Sequence, residues 1–232
     1  MKLIVVLYNY LKTPNLKLKK VSRKELFIGF KEFIVFDLAL AFIWGLIITL
    51  LTFLFDDLRG VMKSTITTNH SFFLKILKFS IIIPLIEELS FRLGLKITKI
   101  NISISLGIQI IIILQLLNII ESPLYARIIW MVTAISALYL LLKKKHISFF
   151  KKNYNFFVYY NILFFGILHI CNYHFTSYTQ YFFIPILISL HVIFGSYMSY
   201  SRMKYGFAFT LFIHGFHNFV IILLGFLFKG DF

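Results

Sequence analysis

A chain of 232 residues that is 59% apolar, 19% aromatic and only 14% charged, with a mean hydropathy of +0.86, cannot wet its own surface, because soluble domains carry about a quarter charged residues. The net charge of +15 does not reverse this reading. The lysines and arginines stand in short runs between apolar segments, which excludes a gathered nucleic-acid-binding face and fits a polytopic membrane protein.

The chain opens with MKLIVVLYNYLK, an apolar run too short to cross a bilayer and without a signal-peptide cleavage site. It reads as a short amphipathic segment at the surface, heading a basic N-terminal stretch, 1–31. Seven runs long enough to span follow, at 32–55, 72–95, 101–120, 124–142, 154–173, 180–201 and 205–228. Each is predicted helical, since backbone polar groups in hydrocarbon must be satisfied within the segment. The expectation is an all-α transmembrane bundle forming one integral membrane domain over 1–232, with its chemistry in about 72–228. Six spans with one run lying on the surface is the alternative. The single cysteine, Cys171, rules out an intrachain disulfide, and no internal repeat or long linker is evident.

Placing the N-terminus in the cytoplasm puts seventeen of the twenty-four lysines and arginines on the cytoplasmic side and six outside, with Arg92 inside a span. Lys17, Lys19 and Lys20 belong to the first group and Lys63 to the second. That bias sets the orientation. The composition, rich in Lys, Ile, Phe and Asn, points to a bacterial cytoplasmic membrane.

Charges within spans are costly and mark functional sites by default. The second run, FFLKILKFSIIIPLIEELSFRLGL, holds Lys75, Lys78, Glu87, Glu88 and Arg92. Glu88 and Arg92 are four apart and pair on one helix face. Glu87 points about 100° away and has no local partner, which suits it to proton transfer. Pro84, one turn earlier, lacks an N–H and bends the helix or opens a wet pocket. The fifth run carries Phe165, Gly166 and His169; the seventh carries His214 and Asn218 on one face, with His217 facing elsewhere. His191, alone in the sixth run, reads as a helix–helix contact, and His174 falls at the outer interface. Neutral imidazoles can hold a metal or a water, a carboxylate can take a proton, and an amide or imidazolium can stabilise an oxyanion. At 1.5 Å per residue, Glu87 lies about 12 Å into its span and His169 about 22 Å into its own. To meet, the fifth helix must start later or tilt, or an invagination must join the levels.

Glu87-Glu88-x-x-x-Arg92, Phe165-x-x-x-His169 and His214-x-x-x-Asn218, in that order and each inside a span, resemble the three motifs of the CPBP intramembrane proteases, the family that includes the CAAX prenyl endopeptidases. The resemblance covers about residues 80–225. It implies an intramembrane endopeptidase in which Glu87 activates a water. His169 and His214, with Asn218, would bind that water or a metal and stabilise the oxyanion, and Glu88 and Arg92 would support the first motif. Two histidines and an oxygen donor (His169, His214, Glu87) permit one divalent metal, zinc, without demanding it. Two departures are present. Leu93 stands before Gly94 where the family commonly has glycine, and the 82 residues from Glu87 to His169 hold two additional spans. The implied partners are lipid, a membrane-bound peptide or protein substrate, and a second copy of the chain met through small residues such as Gly45, Gly107 or Gly195. The competing functions are a non-enzymatic bacteriocin-immunity or scaffold protein, and a small transporter or proton channel.

Overall fold

The computed structural model describes residues 2–14, 21–61, 71–120 and 123–229; Lys17, Lys19, Lys20 and Lys63 lie outside them. Among the described residues the regular structure is all helical: α1 (Lys2–Lys12), α2 (Arg23–Leu54), α3 (Asp57–Val61), α4 (Phe72–Ile76), α5 (Ile83–Phe91), α6 (Lys99–Leu116), α7 (Leu124–Leu141), α8 (Lys144–Lys152), α9 (Tyr154–Leu168), α10 (Ile184–Tyr205) and α11 (Phe207–Lys229). A π-helical stretch, Leu77–Ile82, joins α4 to α5, and 3₁₀ turns occupy Leu93–Leu95, His169–Asn172 and Tyr178–Phe183.

Among the described residues six helices are long and apolar enough to cross a membrane: α2, α6, α7, α9 with the turn after it, α10 with the turn before it, and α11. They correspond to six of the seven predicted runs. The run at 72–95 differs, being a succession of α4, π-helix, α5 and 3₁₀ turn. Pro84 accounts for the change of register. It has no N–H, so in the π spacing the carbonyl of Phe79 lacks a helical donor, and in the α spacing that of Ser80 does. The first span begins at Arg23 rather than 32, because Ser22 and Glu25 form a capping box. The Glu25 N–H donates to Ser22 Oγ at 3.3 Å and the Ser22 N–H to Glu25 Oε2 at 2.7 Å.

α10 lies in the middle, against α9, α11, α1 and α2, while α5 is packed among α6, α9 and α11. The main apolar core gathers at the lysine-rich end and includes Phe33, Phe91, Ile102, Val158, Tyr197 and Ile213. In lipid such packing is held by close contact rather than by escape from water. α10 and α11 are joined by Gly206 at φ 95°, a left-handed conformation that a side chain would strain, with its N–H on the Arg202 carbonyl. A smaller cluster of Leu58, Val61 and Leu187 closes the other end. There Gln180 Nε2 donates to the Asp57 carbonyl at 2.7 Å and Thr179 Oγ1 to Asp57 Oδ2 at 2.7 Å.

α1 is the expected surface helix. Tyr10 is buried with its ring edge-on to Tyr200, and the Tyr159 hydroxyl donates to the Leu11 carbonyl. Ile4, Val5 and Tyr8 face outward. The glycines expected between copies of the chain are mostly used inside the bundle. A Cβ on Gly107 would meet the Ile135 backbone at 3.1 Å, and one on Gly195 the Phe165 ring at 3.0 Å; Gly45 alone of the three faces open space.

Candidate functional site

The glutamate–arginine motif and the two histidine motifs converge where α5, α9, α10 and α11 meet. Glu88 is fully buried. Its Oε1 accepts from His214 Nδ1 at 2.8 Å and lies 3.7 Å from Arg92 Nη1. The i, i+4 pair expected from spacing is therefore present, and α11 adds a third member. Arg92, also buried, stacks its guanidinium 4.0 Å from the centre of the Phe165 ring, in space left by Gly195.

Glu87 turns to the other side, as its 100° offset requires. Its Oε2 lies 3.3 Å from His214 Nε2 and its Oε1 4.0 Å from His169 Nε2. The His169 Nδ1–H donates to the Phe165 carbonyl at 2.7 Å. A carbonyl can only accept, and so can an ionised carboxylate. Both imidazoles thus carry their hydrogen on Nδ1, held by Phe165 and by Glu88, and turn an Nε2 lone pair toward Glu87. Three acceptors facing one another require a shared proton or the two hydrogens of a water between them.

The depth mismatch is resolved by helix polarity. Side chains lean toward the N-terminus of their own helix, and α5 runs opposite to α9 and α11. Glu87 therefore reaches one way while His169 and His214 reach the other, which the His169 bond back to Phe165 illustrates. α9 also starts beyond the end of α5: a Cβ on Gly94 would lie 3.3 Å from the Phe157 ring, three residues inside α9.

Asn218 is placed by Pro84 rather than by Glu87. Its Nδ2 donates at 2.8 Å to the Phe79 carbonyl, the one that proline leaves without a donor in the π spacing. A Cβ on the neighbouring Gly215 would lie 2.5 Å from the Ser80 carbonyl oxygen, so α11 crosses this turn in direct backbone contact. Of the lysines in this segment, Lys75 is buried and the Lys78 ammonium sits 5.2 Å from the Phe79 ring centre.

Glu87 and His169 open into a pocket of about 210 Å³ between α5, α6 and α9, whose other walls are Ile83, Ile86, Phe91, Ile112, Leu116, Phe165 and Leu168. That volume is below the range for drug-sized ligands and admits a few side chains. Its polar groups are the two site residues alone. Among the described residues, no group of three or more His, Cys, Asp or Glu donors is close enough together to hold a metal ion. The Nε2 atoms of His169 and His214 approach separate oxygens of Glu87.

Several residues of this region escaped the sequence reading. Arg202, counted with the basic turn, is buried and donates from Nε to the Arg92 carbonyl at 3.1 Å, capping the end of α5. His217 pairs with Asp37 of α2 at 2.7 Å. A buried amide network ties α5, α6 and α9: Gln109 Nε2 donates to the Ser90 carbonyl at 2.7 Å and to Asn161 Oδ1 at 2.9 Å, and the Tyr160 hydroxyl donates to Gln109 Oε1 at 2.9 Å. The available signal was the one used for Glu87, a polar residue within an apolar run.

No family model, no curated protein and no solved structure matches the chain. What stands on the geometry is a buried histidine–glutamate cluster inside a multi-pass helical membrane protein, an arrangement consistent with a catalytic site.

Proposed function

We propose that this chain is an intramembrane endopeptidase of the CPBP type that its motifs resemble, hydrolysing a peptide bond of a membrane-embedded or membrane-bound substrate. The observation that carries the reading is Glu87, set between two imidazole Nε2 atoms and opening into an apolar pocket. A 4.0 Å gap between His169 Nε2 and Glu87 Oε1 is a bridging distance for one water. Such a water directs one hydrogen to Glu87 and the other to an imidazole, leaving its lone pairs for a carbonyl carbon. Glu87 takes a proton as the water oxygen bonds to that carbon and the carbonyl π electrons move to oxygen. Collapse of the tetrahedral intermediate breaks the C–N bond, and the proton held by Glu87 passes to the departing amine. Glu88 and Arg92 keep His214 oriented through Nδ1 and do not touch the reacting atoms. The apolar pocket favours a hydrophobic substrate segment arriving from the bilayer, the composition favours a bacterial cytoplasmic membrane, and the charge bias favours the lysine-rich end inside.

The test is cleavage of a panel of membrane peptides by the protein in lipid nanodiscs, beside Glu87→Gln and His169→Ala. Wild-type cuts should fall by about 10²–10⁴-fold in Glu87→Gln, the range for loss of a general base, and vanish in His169→Ala. Cuts that persist in Glu87→Gln overturn this assignment. A folded wild type that cuts nothing, with zinc supplied, turns the reading to an immunity or scaffold protein, and makes proton flux the next measurement.

A further inference from the structure

His169 stands at a weak point of the backbone. α9 ends at Leu168, and His169 begins the 3₁₀ turn that follows. Its ring has one hydrogen bond, from Nδ1 to the Phe165 carbonyl. That bond chooses between the two flips of the ring but does not hold its plane, because the outer torsion of a histidine is broad and roughly two-fold. The direction of Nε2 toward Glu87 therefore needs a second restraint.

The restraint comes from α10. The His191 ring lies nearly parallel to that of His169, with centroids 3.9 Å apart and planes 20° from one another. The Phe165 ring, 4.5 Å away and tilted by 58°, bounds His169 from elsewhere. This closeness is built into the sequence. A Cβ on Gly166 would collide with the Val192 side chain and approach the Ile188 carbonyl at 3.5 Å, so only the bare glycine lets α9 and α10 come near enough for the rings to stack. One turn further along α10, Gly195 makes the space for Phe165 and Arg92. The same face of α10 thus shapes both supports of the site.

We infer that His191 is a positioning residue of this site, holding the His169 imidazole flat so that Nε2 faces Glu87. A flat ring is what the role requires; a proton on His191 is not. The kinetic consequence rests on the endopeptidase reading, while the geometric one does not, and the experiment separates them. Protein labelled with ¹⁵N-histidine in nanodiscs is compared as wild type, His191→Ala, His191→Leu and His191→Phe, with the His169 signals assigned by their loss in His169→Gln. Wild type and His191→Phe should give a single Nδ1–H tautomer at His169. Without the stacked ring the His169 imidazole turns out of the plane in which Nδ1–H reaches the Phe165 carbonyl, so His191→Ala and His191→Leu should give a tautomer mixture, although leucine fills the volume and guards against simple collapse of the packing.

In the cleavage assay kcat should fall about ten- to a hundredfold in His191→Ala and His191→Leu, in keeping with the cost of small misplacements. KM should be unchanged, and His191→Phe should stay within about twofold of wild type. An unchanged tautomer in His191→Ala, or leucine performing as well as phenylalanine, overturns the assignment. A tautomer mixture in a protein whose wild type cuts nothing leaves the positioning role standing and removes the endopeptidase reading.

Discussion

α6 and α7 have the same mean hydropathy and the same length, yet 39% of the α6 span is buried and none of the α7 span is. α7 packs on α6 at the edge and turns Leu124, Ile129, Trp130, Val132 and Leu140 outward. α6 buries Ser103, Ser105 and Gln109, with Ser105 Oγ and Gln109 Nε2 both donating to the Ser90 carbonyl of α5. Hydropathy cannot tell these helices apart, since lipid is as apolar as a leucine core. Polar side chains can, because in hydrocarbon they must find partners on another helix or on their own backbone. α5, which carries Glu87, Glu88 and Ser90, is accordingly enclosed at Glu88 and Ser90 and, just past its end, at Arg92. Thr133 on α7 takes the other course, donating to the Ile129 carbonyl of its own helix at 2.9 Å.

The contrast breaks most visibly if buried charge is not what organises the bundle. Glu88→Leu leaves Arg92 without its carboxylate and His214 without its acceptor, and should cost about 3–5 kcal/mol, as breaking a buried pair does. Thr133→Val on α7 should stay within about 0.5 kcal/mol of wild type. Reversible unfolding in mixed micelles measures both. The double change Glu88→Leu with Arg92→Met should recover most of the loss, since it removes both charges together. A single Glu88→Leu variant as stable as Thr133→Val would sink the idea. At a smaller scale, Gln109→Leu leaves the Ser90 carbonyl, Asn161 and the Tyr160 hydroxyl each short of a partner, and should cost about 1–2 kcal/mol. No measurable loss would mean that α6 is held by its apolar contacts alone.

The same contrast explains what could be read from the sequence. Length and apolarity were enough to place six of the spanning helices, and spacing was enough to pair Glu88 with Arg92 and to separate Glu87 from both. The orientation of His214 was not legible, because Glu88 serves it from another helix 126 positions away. The resemblance implies Asn218 beside the oxyanion, and its bond to Phe79 depends on a register shift that Pro84 imposes on a different helix. Asp37 lies within an apolar run of α2, and its partner His217 is on α11, so neither position alone announces the pair. His191 is the helix–helix contact expected of it, but no charged residue near it in sequence points to its partner, the His169 ring at the end of α9. Each miss concerns a partner supplied across helices, which periodicity along one helix does not encode.

The finest test concerns α1, where one helix faces both the bundle and the lipid. Tyr10 is buried, its hydroxyl has no hydrogen-bond partner among the described residues, and burial pushes its phenol well above the ordinary range. The unfolded phenol ionises near pH 10 while the folded one stays protonated, so the folded state holds more protons there. Stability is therefore complete below about pH 10 and declines as pH rises toward the folded value. Tyr10→Phe has no proton to lose and should escape that part of the decline, by less than about 1 kcal/mol at pH 10.5. At pH 8 it should match wild type or slightly exceed it, since an unsatisfied hydroxyl is removed. Melting of both proteins at the two pH values gives the difference, with every other titrating group cancelling between them. Identical losses would place Tyr10 in water and α1 off the bundle, making it as peripheral as α7.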